Sequence, residues 1–254
     1  MRAILASEWL KLRSVNSTGY AIGAAGLAVV LGIVWTLYVG SLADQRGSIR
    51  AAAPEEGFLP LVQISLAVLG VLAITSEHAG GLLRTSLAAV PSRGRLLLAK
   101  ATLVGAVTLA VSGAVLLATY AASRVIAGDR SLGFNTGSLA DGLLPVLAST
   151  LSVTVLALVG LGLGAATRST TTGIVSVVAI LFVLPGIVTY LPAPWNTRVA
   201  SIMVPNLIPQ ITGERLSRRL GEGVLQPWVA LLVLVGYGAA ALLAGYQAMK
   251  RRDA

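Results

Sequence analysis

LLPVLASTLSVTVLALVGLGLGAA, residues 143–166, runs for twenty-four positions without a charged side chain. As a helix it is long enough to cross a bilayer, which takes roughly 20 mostly apolar residues. Five further stretches of this kind lie at about 19–40, 58–76, 100–122, 170–191 and 228–248. The chain of 254 residues is 56% hydrophobic and only 11% charged, whereas soluble domains carry about 25% charged residues. These features predict an all-α integral membrane protein of six transmembrane helices, read as one domain over 1–254. Between the spans only 192–227 is long enough to hold structure of its own.

The basic residues are distributed unevenly. The N-terminus, 77–100, 167–169 and the C-terminus together carry eleven Lys and Arg against three acids, while the other connections carry eight against seven. Lys and Arg collect on the cytoplasmic side, so both termini are expected there. The net charge of +9 is then a matter of topology, and no folded soluble unit exists to present a nucleic-acid surface.

Candidate chemistry is sparse. The span centres hold no ionisable residue of the kind that marks a proton relay or ion-coupled carrier. Gln63 is the most polar group well inside a span and is expected to bond across helices. With one histidine, His78, and no cysteine, there is no His pair for a metal and no second candidate base for a Ser-His-Asp arrangement. No GxxxxGK[ST] loop is present to hold ATP. GLGLGAA at 160–166 loosely fits a dinucleotide loop, but that loop follows a strand, and this one lies inside an apolar run. Catalytic, cofactor-binding and metal residues are accordingly expected to be none. Gly19 with Gly23, and Gly160 with Gly164, are instead small residues four apart on one helix face, the pattern of close helix packing.

Two segments on the basic side carry more. Residues 2–14, RAILASEWLKLRS, project as an imperfect amphipathic helix, with Leu5, Ala6, Trp9, Leu10 and Leu12 on one arc and Ser7, Glu8, Lys11 and Ser14 opposite. Trp9 suits the headgroup level. The segment reads either as a plain anchor or as one whose polar face, Glu8 and Lys11 above all, touches a cytoplasmic partner. Between Ser76 and Lys100 the chain reads SEHAGGLLRTSLAAVPSRGRLLLAK. Gly80 and Gly81 break the span, and Leu83, Leu87 and Val90 recur at helical spacing before Pro91. A short surface helix carrying Arg84 results, which is either a topology signal or a coupling element joined to two spans. Glu77 pairs with Arg84 or Lys100, or holds the angle between span and short helix.

EWLKLRS at 8–14, the block from Glu77 to Lys100, GLGLGAATRS at 160–169 and the KRRDA end together resemble permease subunits of ABC-2 type exporters, over nearly the whole chain. The resemblance implies a multi-pass protein of the bacterial cytoplasmic membrane, paired with a second, identical protomer as a homodimer, and served by two copies of a separate ATPase subunit that binds ATP and Mg. This chain would then hold no cofactor and hydrolyse nothing itself. The resemblance also makes 82–90 the coupling helix between the second and third spans, with Leu83, Arg84, Leu87, Val90 and Glu77 in ATPase coupling, and makes the stretch before the sixth span fold into short re-entrant helices on the outer side. A path lined by Ser, Thr, Gly and aliphatic groups fits amphipathic or hydrophobic cargo, such as a peptide antibiotic, a drug or a lipid-like molecule. A membrane scaffold or sensor-like protein without transport is the other reading, and a co-purifying P-loop ATPase separates the two.

Overall fold

A computed structural model describes residues 2–79, 92–213 and 224–251. Leu83, Arg84, Leu87 and Val90, expected in the coupling helix, lie outside the described residues. The described residues form helices and no strands: α1 (Arg2–Ser14), α2 (Asn16–Arg46), α3 (Pro54–Gly57), α4 (Leu59–Ala79), α5 (Arg93–Ala127), α6 (Leu143–Thr167), α7 (Thr170–Val188), α8 (Trp195–Ile202), α9 (Val204–Thr212) and α10 (Pro227–Arg251). Six of them, α2, α4, α5, α6, α7 and α10, are long and apolar enough to cross a membrane.

The spans fall where apolar length places them, but two run well past the expected ends. α2 has 31 residues and α5 has 35, about 46 and 52 Å at 1.5 Å per residue against a hydrocarbon core of about 30 Å. The surplus turns carry Arg46 on α2 and Arg93, Arg95 and Arg124 on α5. Helical hydrogen bonding continues there because the backbone needs no lipid around it, so hydropathy marks the apolar core of such a helix and misses its polar ends.

α6 is the central helix. In its most apolar window 78% of residues are buried, against 22% for α7 and for α10, and it packs on α4, α5, α7, α9 and α10. Lipid is as apolar as leucine, so helices in a bilayer gain little from burying hydrocarbon and associate through close packing and interhelical hydrogen bonds. The glycines supply the first. Gly160 and Gly164 lie against Ala67, Val71 and Ile74 of α4. Gly162, two residues on and therefore about 200° round the helix, lies against Ala241 of α10, where Gly245 meets it in return. One run of alternating glycines thus seats two neighbours on opposite sides of α6. Gly70 of α4 completes the seam, since a Cβ there would fall on the Ala157 carbonyl. The Gly19–Gly23 pair behaves differently: a Cβ at either position meets nothing within 4 Å, because this face of α2 points away from the bundle. The contact that their spacing suggests is not made among the described residues.

Polar side chains supply the second component. Gln63 Nε2 donates to Ser152 Oγ at 3.2 Å, joining α4 to α6, and Thr170 Oγ1 donates to Thr75 Oγ1 at 2.8 Å, joining α7 to α4. α6 and α7 are separated only by a sharp turn in which Arg168 adopts φ 56° and Ser169 caps α7 by accepting from the Thr172 N–H. Within α7, residues Ala179–Val183 widen to a π turn. Pro185 follows and has no N–H to give to the preceding turn, and the wider spacing relieves the crowding its ring would cause.

The stretch before the sixth span holds two short helices, α8 and α9, fixed by Gln210. Its Nε2 donates to Ser201 O at 2.7 Å and its Oε1 accepts from Leu225 N–H at 2.7 Å. At the same end of the bundle the α2–α3 and α5–α6 connections are tied by Ile49 N–H to Ser131 O, Ala51 N–H to Leu132 O, and the Arg130–Asp44 ion pair at 2.8 Å.

Overpacking a filled helix seam costs typically 1–3 kcal/mol. Gly162→Val should therefore lower the thermal midpoint of the detergent-solubilised protein by several degrees, while Gly186→Ala, where a Cβ meets nothing within 4 Å, should leave it unchanged. Thermal unfolding followed by size exclusion reads both.

Candidate functional site: a buried ion cluster

The described residues carry one concentration of buried charge, at the end of the bundle where α1 lies. α1 forms as the sequence predicts, over Arg2–Ser14, but it turns a different face inward. Ile4, Leu5, Lys11 and Leu12 are half-buried and Glu8 is only 4% exposed, whereas Trp9 and Leu10 are 47% and 66% exposed. Glu8, expected on the outward polar arc, is thereby corrected to an inward position, while Trp9 stays on an exposed face. Positions 4, 5, 8, 11 and 12 also repeat at the helical period, and this mixed stripe wins because charged partners await it inside.

Those partners are Glu77, in the last turns of α4, and Lys100, in the second turn of α5. Lys100 is 3% exposed and Glu77 4%. Lys100 Nζ lies 2.5 Å from Glu8 Oε2 and 2.8 Å from Glu77 Oε1, and donates a third bond to Ala73 O at 3.1 Å. Lys11 Nζ lies 2.7 Å from Glu8 Oε1 and 2.9 Å from Glu77 Oε1. Two carboxylates and two ammonium groups therefore neutralise one another. That balance is what allows burial, since an unpaired charge in such surroundings would be expelled or neutralised by a proton.

Burial by itself would push the Lys11 ammonium toward losing its proton. The hydrogen bonds and negative charges of Glu8 and Glu77 outweigh that, so its pKa stands above the ordinary 10.5. The stabilisation Lys11 contributes is accordingly fully present below pH 10.5 and is lost only as the pH rises through the elevated folded value.

Glu8, Lys11 and Glu77 thus come together with Lys100, and of the two partners foreseen for Glu77 the structure supplies Lys100. Trp9 stays outside the cluster. Lys100 as the centre was not foreseen, although a signal existed: of three acids on the basic side, Glu8 and Glu77 both border apolar helices, where a carboxylate requires a cation nearby. Arg84 lies outside the described residues. The cluster cross-links three segments, α1 and the two helices that flank 80–91.

Removing one member of a buried pair costs about 3–5 kcal/mol, because the survivor is left uncompensated. An ion pair at the surface is worth about 0–1 kcal/mol, and the Lys11 side chain is a third exposed. Glu8→Leu should therefore lower the thermal midpoint markedly and expose α1 to trypsin at Arg13. Lys11→Ala should do so weakly, and Glu8→Leu combined with Lys100→Met should recover much of the loss. Equal effects of Glu8→Leu and Lys11→Ala would contradict this ranking. Between pH 7 and 9 the trypsin pattern of the unmodified protein should not change.

Residues 4–187 match the family described as ABC-2 family transporter protein. No curated protein matches the chain. The matched region runs from α1 through nearly all of α7 and contains every member of the ion cluster. The chain belongs to the ABC-2 transporter family and is a membrane permease domain of that family, the part that lacks the ATPase.

Proposed function

We propose that this single-domain chain is the membrane-spanning subunit of an exporter driven by a separate ATPase, that it works as a pair of identical protomers with two ATPase copies, and that it moves an amphipathic or hydrophobic cargo. The α1 end, with both termini, faces the cytoplasm of a bacterial cell, and ATP and Mg are held by the partner. The observation that carries this reading is the ion cluster. Glu77 and Lys100 flank the segment 82–90, proposed as the coupling helix, and Glu8 joins α1 to both flanks. A push on 82–90 from a soluble partner would thus reach α4, α5 and α1 together.

On this reading the ATPase grips Leu83, Leu87 and Val90, with Arg84 in support. Glu8 serves through its internal bonds, and only the exposed third of Lys11 remains to meet the partner. The paired glycines Gly19 and Gly23 lie on an outward face of α2 with room for close approach, as a protomer contact requires. α8 and α9 are the re-entrant pair on the outer side.

Co-purification from native membranes tests the reading directly: a P-loop ATPase should accompany the tagged permease in equal number, and a chain that transports without one would overturn it. Cysteine placed at Gln45 or Asn135 should label from outside intact cells and at Ser92 only after the membrane is opened. Leu83→Ala with Leu87→Ala should abolish transport-linked ATP hydrolysis or ATPase association while leaving insertion intact. Arg84→Ala should have a milder effect, since truncating a buried leucine costs about 2–5 kcal/mol and losing an exposed ion pair about 0–1.

A further inference from the structure

A groove of about 530 Å³ runs between the first turns of α5 and the last turns of α10, at the end of the bundle that holds α1. Arg93, Arg95 and Lys250 line it together with Gly94, Leu98 and Tyr246, and among the described residues no acid does. It is separate from the ion cluster, where two carboxylates balance two lysines. Gly94 sets how closely the two helices approach, since a Cβ there would lie 3.4 Å from the Tyr246 ring.

The three cations differ in what holds them. Arg93 Nη1 donates to Met249 O at 2.6 Å, answering a carbonyl in the last turn of α10 that the helix itself leaves unpaired. Arg95 and Lys250 are exposed and make no hydrogen bond or ion pair with any described residue. At the other end of the bundle an exposed cation finds an acid, as Arg130 finds Asp44; here like charges gather instead. Beneath each of the two free cations stands an exposed apolar group. Leu98, 58% exposed, is three residues into α5 from Arg95, and Tyr246, 38% exposed, is four residues into α10 from Lys250. These spacings put both members of each pair on one helix face, about 4.5–6 Å apart along the axis. Leu243, 59% exposed, extends the apolar face of α10 by another turn. On both walls, therefore, charge stands at the rim and apolar surface one turn deeper, which is the order of head and tail in a phospholipid. A soluble anion would satisfy the rim and leave the deeper groups uncovered, and a lipid without net charge would do the reverse.

We infer that this groove binds an anionic phospholipid of the leaflet at this end of the bundle, its headgroup phosphate on Arg95 and Lys250 and an acyl chain along Leu98, Tyr246 and Leu243. A guanidinium matches two phosphate oxygens with parallel hydrogen bonds, while the lysine adds a point charge. Basic pockets between transmembrane helices take up anionic headgroups in this way. A bound lipid bridges α5 and α10 beside the segment 80–91. The site stands on the groove and its cations and does not depend on ATP-driven transport.

The test uses the full chain purified in maltoside micelles, with dioleoyl phosphatidylglycerol and dioleoyl phosphatidylcholine as probes in native mass spectrometry. Both carry a phosphate, but only the first has a net charge. A basic side chain near a membrane surface strengthens attraction to anionic lipid by about fivefold, so the first phosphatidylglycerol retained should be held at least about tenfold more tightly than phosphatidylcholine. Arg95→Gln with Lys250→Gln removes two such side chains and should cut that affinity by about 25-fold, erasing the preference. The thermal midpoint of this variant should stay near wild type, because neither side chain has a partner in the fold. Arg46→Gln with Arg50→Gln, which removes two exposed cations from the opposite end of the bundle, should leave the preference intact and so separates the groove from overall charge. An excess of sn-glycerol 3-phosphate should not displace the lipid. Displacement by it would make the groove a site for free phosphates, and expulsion of the lipid on adding the ATPase would make it a protein contact. Either result would overturn the assignment, as would equal retention of the two lipids or an equal loss in both double variants.

Discussion

A charge can stay in a low-dielectric place only if an opposite charge stays with it, and the geometry around Lys100 follows from that constraint. Its ammonium is 3% exposed, so Glu8 and Glu77 have to reach it, and each brings its own helix. α1 is thereby rolled so that Glu8 faces the bundle while Trp9 and Leu10 stay exposed. Buried ion pairs of this kind add little net stability compared with an apolar replacement. What they add is register: Lys100 Nζ meets two particular carboxylates and one particular carbonyl, and neither a turn's slip of α1 nor a rotation of α4 preserves all three.

The middle of the bundle is held by a different physics. Around α6 the contacts are short-range and steric, with Gly160 and Gly164 on one side, Gly162 on the other, and Gly70 opposite Ala157. Glycine seams fix the distance between helices but say little about sliding along them. Single polar bonds, Gln63 to Ser152 and Thr170 to Thr75, then fix the height. Steric seams at the centre and charge at one end divide the task of positioning helices that the hydrophobic effect cannot position in lipid.

Much of this was legible in the sequence. Apolar length alone gives six spans, since a membrane leaves the backbone few alternatives to a helix. The pairing of Gly160 with Gly164 is a local spacing, readable on one helix. Gly162 is less so, because its partner Ala241 lies 79 positions away and only the packed structure shows that α6 has a neighbour on that side. The inward turn of Glu8 was illegible for a related reason. A helical projection weighs the residues of one segment against an average surrounding, whereas the orientation of α1 is set by Lys100, 92 positions on. The projection fails at α1 because one buried lysine outweighs several partly exposed apolar side chains.

The same contrast bears on how motion could pass through the permease. Apolar contacts yield gradually, each heavy-atom pair contributing about 0.1–0.2 kcal/mol, so a helix resting on leucines alone can slip before it drags its neighbour. A charge pair shielded from water yields steeply, because separating it by an ångström exposes both members to an environment that solvates neither. Glu77 and Lys100 stand on the two helices that flank 80–91, each bonded to the other and to α1. On the proposed reading, force applied to that segment meets three helices joined at one point, and α4 carries it on to α6 through the glycine seam and the Gln63–Ser152 bond.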